Sequence, residues 1–268
     1  MAGVDAVSGP ASPDTSGEEE LFVYGILPAR DVDAAGGTVQ ALAGLDGAPV
    51  GFVRHAGLAT AVSVVDRDRR AARRADLLAY QSVLDGLARI GPVAPVRFGS
   101  VMPDAATVVD ELMAPDADHF LSLLERLRGR RQFNLRVTPV EEVALGELVA
   151  ADPEIRRLRE LTRGVPEEAS YRERVRLGEL VAHGLERRSA EDADMVLGLV
   201  VPVAEDHLVR SPASATEVVD VALLVDDARS DELVEALEQY AEAWHQRLRL
   251  RLVGPLAPYD FVEEGSWA

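Results

Sequence analysis

Apolar positions along the chain follow two rhythms, one of strands and one of helices. Leu21–Leu27, LFVYGIL, is apolar on both faces, as a buried central strand requires, and Pro28 ends it. After a Gly-rich connection come two strand-like runs, Val50–His55 and Leu58–Val65, with Leu58, Thr60, Val62 and Val64 on one face of the second. Ala56-Gly57 between them is a hairpin signal. Asp66–Arg89 carries helical spacing at Leu77, Tyr80, Leu84 and Leu87, and Gly91-Pro92 breaks it. Ala94–Phe98 reads as the next strand. Asp104–Met113 and Asp116–Arg128 read as short helices capped by their leading aspartates and separated by Pro115.

Gln132–Pro139 restarts the β pattern, which places a domain boundary near 129–131. Asp152-Pro153-Glu154 has the cap, proline and acid of a helix start, with Ile155, Leu158 and Leu161 as its stripe. A second helix is expected from Pro166 to about Arg188, with Tyr171, Val175, Gly178, Ala182 and Leu185 on one face. Gly178 and Gly184 there point to close helix packing, since glycine otherwise weakens a helix. Ser189 is expected to cap a third helix running through Val203. Asp206–Ser211 and Glu217–Val225 form a second hairpin pair joined by SPASAT, Ser230–Trp244 an amphipathic helix, and Arg247–Leu252 a strand. In that strand Leu and Arg alternate without a break.

Strand, connection, hairpin, helix, strand is thus read twice. The order predicts an α+β protein of two ferredoxin-like α/β-sandwich domains in tandem. The expected domains are residues 21–130, with appended helices, and 131–268, with an inserted helical block at about 141–204. Residues Met1–Glu20, rich in small residues and acid, have too little apolar surface to order and are expected to form a disordered tail.

Composition narrows the function classes. The 268 residues contain no cysteine, which excludes disulfides and thiolate chemistry. The 46 acidic residues against 28 basic ones give a net charge of −18, which opposes nonspecific nucleic-acid binding. Every basic residue is arginine, and Arg67, Arg69, Arg70, Arg73 and Arg74 crowd one helix start, facing carboxylates or solvent. No apolar run is long enough to span a bilayer, and the N-terminus lacks the form of a secretory signal, so a cytoplasmic location is expected.

No catalytic, cofactor-binding or metal-binding constellation emerges. His55, His119, His183, His207 and His245 are scattered without ligand spacing, and there is no phosphate-binding glycine loop or nucleophile elbow. Gly99-Ser100 reads as a turn. Asp226-Asp227 follows a strand end, as metal-holding carboxylates do in some enzymes, or simply leads into a capped helix.

Several blocks taken in order resemble the gas vesicle protein L/F family of accessory proteins. They are LFVYGIL running into proline, PVAPVRFGSVMPD, DPEIRRLRE, YRERVRLGELVAHGLERR, VVDVALLVDD, the Leu233–Trp244 helix and GPLAPYDFV, spanning about Leu21–Glu263. The resemblance implies two ferredoxin-like domains, no catalysis and no cofactor. It implies a role in building gas vesicles, through contacts with the hydrophobic shell protein and other accessory proteins during nucleation or early growth. The contact residues it suggests lie in two strand-end turns: Pro95, Arg97, Phe98 and Gly99, and Pro255, Pro258, Tyr259 and Phe261. The competing reading is that Phe98, Tyr259 and Phe261 close the two cores. Other functions remain open on the residues alone: a small-molecule-binding regulatory module built from paired ferredoxin-like domains, or a metal enzyme using Asp226-Asp227.

Overall fold

The computed structural model describes residues 19–68, 73–211 and 217–262. Outside the described residues lie most of the expected tail, Arg69 and Arg70, most of the SPASAT connection, and Glu263-Glu264. The chain divides into two compact units, residues 1–132 with 255–268, and residues 133–254. The expected boundary near 129–131 therefore shifts slightly, and the segment from Pro255 onward, expected in the second domain, belongs to the first. The physical reason is the burial of Ala257 in the first unit's core, together with hydrogen bonds linking Gln132 to Asp260 and Arg126 to Phe261.

In the first unit β1 (Glu19–Pro28) is followed by α1 (Ala29–Ala35), the hairpin β2 (Gly51–His55) and β3 (Leu58–Asp66), α2 (Arg74–Ile90), and the short strands β4 (Ala94–Pro95) and β5 (Val101–Met102). The sheet order is β2-β3-β1-β4, with β5 also paired to β1. Glu19 and Glu20, placed in the tail by composition, already pair with Asp66 and Val65. At the hairpin Ala56 and Gly57 have φ of 46° and 83°, both positive as a type I′ turn demands.

β1 is buried from Leu21 to Pro28, so both sheet faces need cover. On one face Phe22, Tyr24 and Leu27 pack with Tyr80, Val83, Leu84 and Leu87 of α2. The other cover is α3 (Ala105–Thr107), a π-type turn over Val108–Met113, and α4 (Ala117–Leu127), which packs along β1, β3 and β4. Asp104 caps this block as expected, accepting from the Thr107 N–H at 2.7 Å, whereas Asp116 makes no side-chain cap.

β3 keeps its pairing through Asp66, and α2 starts at Arg74, later than its spacing suggests. Its first turn is held by the buried Asp76, which accepts from the Arg73 N–H at 3.0 Å, while Arg73 also reaches Asp46 at 3.1 Å. Leu77, expected on the core stripe, is 40% exposed; Val83 takes the place on the buried face.

The second unit repeats the order. β6 (Arg130–Pro139, its last seven residues in this unit) leads to α5 (Glu141–Ala151), α6 (Pro153–Thr162) and α7 (Tyr171–Val200). Then follow β7 (Asp206–Val209), β8 (Val219–Asp226), α8 (Ser230–Trp244) and β9 (Leu248–Leu256). The sheet order is β7-β8-β6-β9, the same strand sequence as in the first unit. Two ferredoxin-like sandwiches, the second with a helical block in its first crossover, account for both sheets. Phe133, Leu135 and Val137 of β6, alternate residues of β8 and Leu248 of β9 pack under Val196 and Val200 of α7 and Leu233 and Leu237 of α8.

The helical block departs from expectation in three respects. Asp152 caps α6 from Glu154 and Ile155 N–H at 2.8 and 3.2 Å. Ser189, however, caps nothing; α7 runs unbroken for 30 residues. Its buried residues, Gly184, Asp192, Val196 and Val200, all lie toward the C-terminal end, and Tyr171, expected on the core stripe, is 64% exposed. Gly184 is where a helix comes close, since a Cβ there would lie 2.5 Å from Leu148 Cδ1, but Gly178 has nothing within 4 Å.

Two glycine substitutions separate these environments. At Gly44 a Cβ would meet Tyr24 Oη at 2.3 Å and Ser63 Oγ at 2.9 Å, the two atoms of a buried hydrogen bond. Gly44→Ala is expected to cost about 1–3 kcal/mol in urea unfolding. Gly178→Ala, in an open helical position, is expected to stabilise by up to about 1 kcal/mol.

Candidate functional site

Both strand-end turns belong to the first unit, and they meet at one side chain, Tyr80. β4 pairs with β1 through Gly25↔Pro95 and Ile26↔Ala94, and the Val96 N–H still donates to Tyr24 O at 3.0 Å. The chain then leaves the sheet in a turn closed by the Ser100 N–H on Arg97 O at 3.1 Å. Gly99, third in that turn, has φ of 92°, a conformation that favours glycine. Val101 and Met102 return to pair with Phe22 and Leu21. The strand expected at Ala94–Phe98 is thus interrupted, and the interruption lifts Phe98 out of the ladder. Its ring packs edge-on to Tyr80 at 5.3 Å and to Phe22 at 6.0 Å.

The second turn is clamped from three sides. Asp260 N–H donates to Gln132 Oε1 at 3.0 Å, the Gln132 amide returns a bond to the Asp260 carboxylate, and Arg126 donates to Phe261 O at 3.1 Å. A short 3₁₀ turn over Tyr259–Phe261 follows Pro258. Ala257, Pro258 and Phe261 are buried, while Tyr259 stays 39% exposed with its ring 6.3 Å from that of Tyr80.

The eight residues therefore separate by role. Pro95, Pro258 and Phe261 are buried and hold backbone in place; Arg97, Gly99 and Pro255 are exposed. Phe98 and Tyr259 do both, flanking Tyr80 with part of each ring in solvent. Tyr80 itself, buried, donates its hydroxyl to Val96 O. Sequence reasoning placed Tyr80 on a core stripe but missed it as the joint between the turns. The available signal was a hydroxyl on an otherwise aliphatic stripe, which needs a buried partner. Leu77, three residues before Tyr80 on α2 and 40% exposed, adds apolar surface beside it.

Elsewhere the chemistry is structural. Asp226 accepts from the Ala228 N–H at 2.9 Å and so caps the turn before α8. Among the described residues no group of three or more His, Asp or Glu is gathered as for a metal. Two clefts in the second unit, around Arg188, enclose about 270 and 160 Å³; ligand pockets are commonly about 300–1,000 Å³. Among the described residues no helix is long and apolar enough to cross a membrane.

The family model described as gas vesicle synthesis protein GvpL/GvpF matches residues 20–263. The chain belongs to the GvpL/GvpF family. Gas vesicle protein F of Streptomyces sp. (strain CB03234) is 35% identical over 216 residues, covering 80% of this chain and 88% of the relative. Gas vesicle protein F of Dolichospermum flosaquae is 25% identical over 248 residues, covering 92% and 98%. The crystal structure of GvpF from Anabaena sp. PCC7120 superposes with a TM-score of 0.78 at 24% identity, over 92% of this chain and 99% of that one, and so shares the fold. Membership of the GvpL/GvpF family gives the chain a role in gas vesicle formation.

Burial raises the phenol pKa values of Tyr80 and Tyr259, the latter further through its neighbours Tyr80 and Asp85. Both phenols ionise more readily in the unfolded chain. Their contribution to stability is complete below about pH 10 and is lost as pH rises toward the raised native values. Urea unfolding across that range is expected to show stability falling with pH, with a shallower fall in the Tyr80→Phe, Tyr259→Phe double variant.

Proposed function

We propose that the chain is a non-enzymatic accessory protein of gas vesicle assembly. In this reading it works in the cytoplasm, binding the hydrophobic shell protein and other accessory proteins during nucleation or early growth. The observation that carries this reading is the half-exposed aromatic pair. Phe98 and Tyr259 are braced from behind by the buried Tyr80, yet keep ring surface in solvent. Rigid aromatics seated on a packed base lose little entropy on binding and are the usual anchors of protein interfaces. With Leu77 on α2 they supply apolar surface to a partner whose own apolar surface must be kept from self-association. The net charge of −18 keeps the carrier itself from aggregating.

The test is capture of the purified shell protein by the wild-type chain and by Phe98→Ala, Tyr259→Ala and Leu77→Asp variants. Circular dichroism and thermal unfolding identify the variants that remain folded. Each aromatic is expected to contribute about 2 kcal/mol to binding, so each folded variant loses at least tenfold in affinity. Leu77, 40% exposed, gives a variant that leaves both aromatics in place. Equal capture by every folded variant excludes this surface, and absence of capture by the wild type, with the other accessory proteins supplied, excludes direct contact.

A further inference from the structure

β9 is an edge strand of the second unit's sheet, hydrogen-bonded to β6 on one side only among the described residues. Its residues alternate strictly. Leu248, Leu250 and Leu252 pack into the core with Phe133, Leu135 and Val137 of β6, which puts Arg249 and Arg251 on the outer face. Both arginines are exposed, and among the described residues neither has an ion-pair or hydrogen-bond partner. On the same outer face, Arg136 of β6 reaches Glu217 at 2.8 Å and Asp220 at 2.7 Å, and Arg210 reaches Asp220 at 2.7 Å. With 46 acidic residues against 28 basic ones, carboxylates are in excess, yet the two arginines beside the open backbone edge take none.

We infer that the free edge of β9 binds an extended segment of a partner protein carrying Asp or Glu at alternate positions. Strand addition supplies the backbone hydrogen bonds that an edge leaves unmade. On a strand, residues two apart repeat at about 6.6–6.8 Å on one face, so Arg249 and Arg251 match carboxylates at alternate positions of an added strand. Arginine forks suit carboxylates. The usable edge runs from Leu248 to Gly254, because Pro255 has no N–H to offer. The overall negative charge does not forbid an acidic partner, since at physiological salt charges beyond about 8 Å are largely screened and the local pair decides. This surface lies in the second unit and acts independently of Phe98 and Tyr259.

The test is fluorescence polarisation of the full chain with a labelled, end-capped octapeptide alternating Glu and Val. Three comparisons accompany it: the same peptide with Lys for Glu, the acidic peptide N-methylated at alternate residues, and a single-stranded oligonucleotide. Saturable binding of the alternating acidic peptide is expected, weakening with salt, and at least tenfold weaker for the Lys and N-methylated forms. Arg249→Glu with Arg251→Glu is expected to reduce affinity at least tenfold with circular dichroism unchanged, whereas Arg172→Glu, an exposed arginine on α7, leaves it intact. The inference is overturned if the intact chain shows no saturable binding, as it would if the arginines served only to block edge pairing. It is also overturned if N-methylation has no effect, if the oligonucleotide binds as tightly as the peptide, or if the double reversal leaves affinity unchanged.

Discussion

Burial of β1 on both faces requires two apolar covers, and the first unit is arranged to supply them. α2 brings one, and its Tyr80 and the strand's own Tyr24 carry hydroxyls into that layer. Each hydroxyl has to be matched there. Tyr24 Oη accepts from the Leu45 N–H at 2.9 Å and hydrogen-bonds Ser63 Oγ at 2.8 Å, which is possible only because Gly44 leaves the space open. Tyr80 donates to Val96 O, just past the end of β4. An unmatched hydroxyl in this layer would cost about 1–3 kcal/mol, a large part of a domain's net stability. The second cover, from Ala105 to Leu127, is set by the Asp104 cap and by Phe120, Leu123, Leu124 and Leu127, all buried on one side of α4.

The second unit solves the same topology with charge where the first uses hydroxyls. Asp192, buried in α7, is met by Arg247 at 2.6 Å, and the guanidinium of Arg247 lies 5.1 Å over the ring of Trp244. Glu147 of α5 joins the group, paired with Arg188 and Arg247. The cluster therefore ties α5 and α7 to the residue before β9. Buried ion pairs add little net stability compared with a hydrophobic replacement, but removing one partner leaves an expensive charge behind. Their value here is registry, because the helical block and the last strand can satisfy these groups in one arrangement.

The half-exposed aromatics acquire their character from the same packing. Phe98 and Tyr259 lean on Tyr80 and so belong partly to the core, yet the turn at Gly99 and the clamp on Asp260 hold their outer surfaces in solvent. A side chain fixed from behind and open in front is ordered before any partner arrives. Such preorganisation favours binding by lowering the entropy lost on association. In the function proposed above for this GvpL/GvpF protein, such a pair would offer apolar surface to a partner without a large sticky patch.

Much of the architecture was legible in the pattern of residues, because strands buried on one or both faces and helices with one apolar stripe must write periods of two and three to four into the sequence. LFVYGIL, the Ala56-Gly57 hairpin, the Asp152-Pro153 helix start and the Leu–Arg alternation before Gly254 all specify local structure through local chemistry. The sequence alone also determined the excess of carboxylates and the absence of thiols. What it left undecided depended on long-range contacts. Tyr171 and Val175 share a stripe that no neighbour covers, and Ser189 has the chemistry of a cap inside a helix that needs none. Phe98 and Tyr259 lie 161 residues apart in the chain, and only folding brings both onto Tyr80. The assignment of Pro255 onward to the first unit was equally invisible, because it rests on the burial of Ala257 and Phe261 and on the clamp from Gln132 and Arg126, all supplied by residues far away in the chain. Local periodicity records which side of an element is apolar; the identity of what covers that side is fixed by tertiary packing.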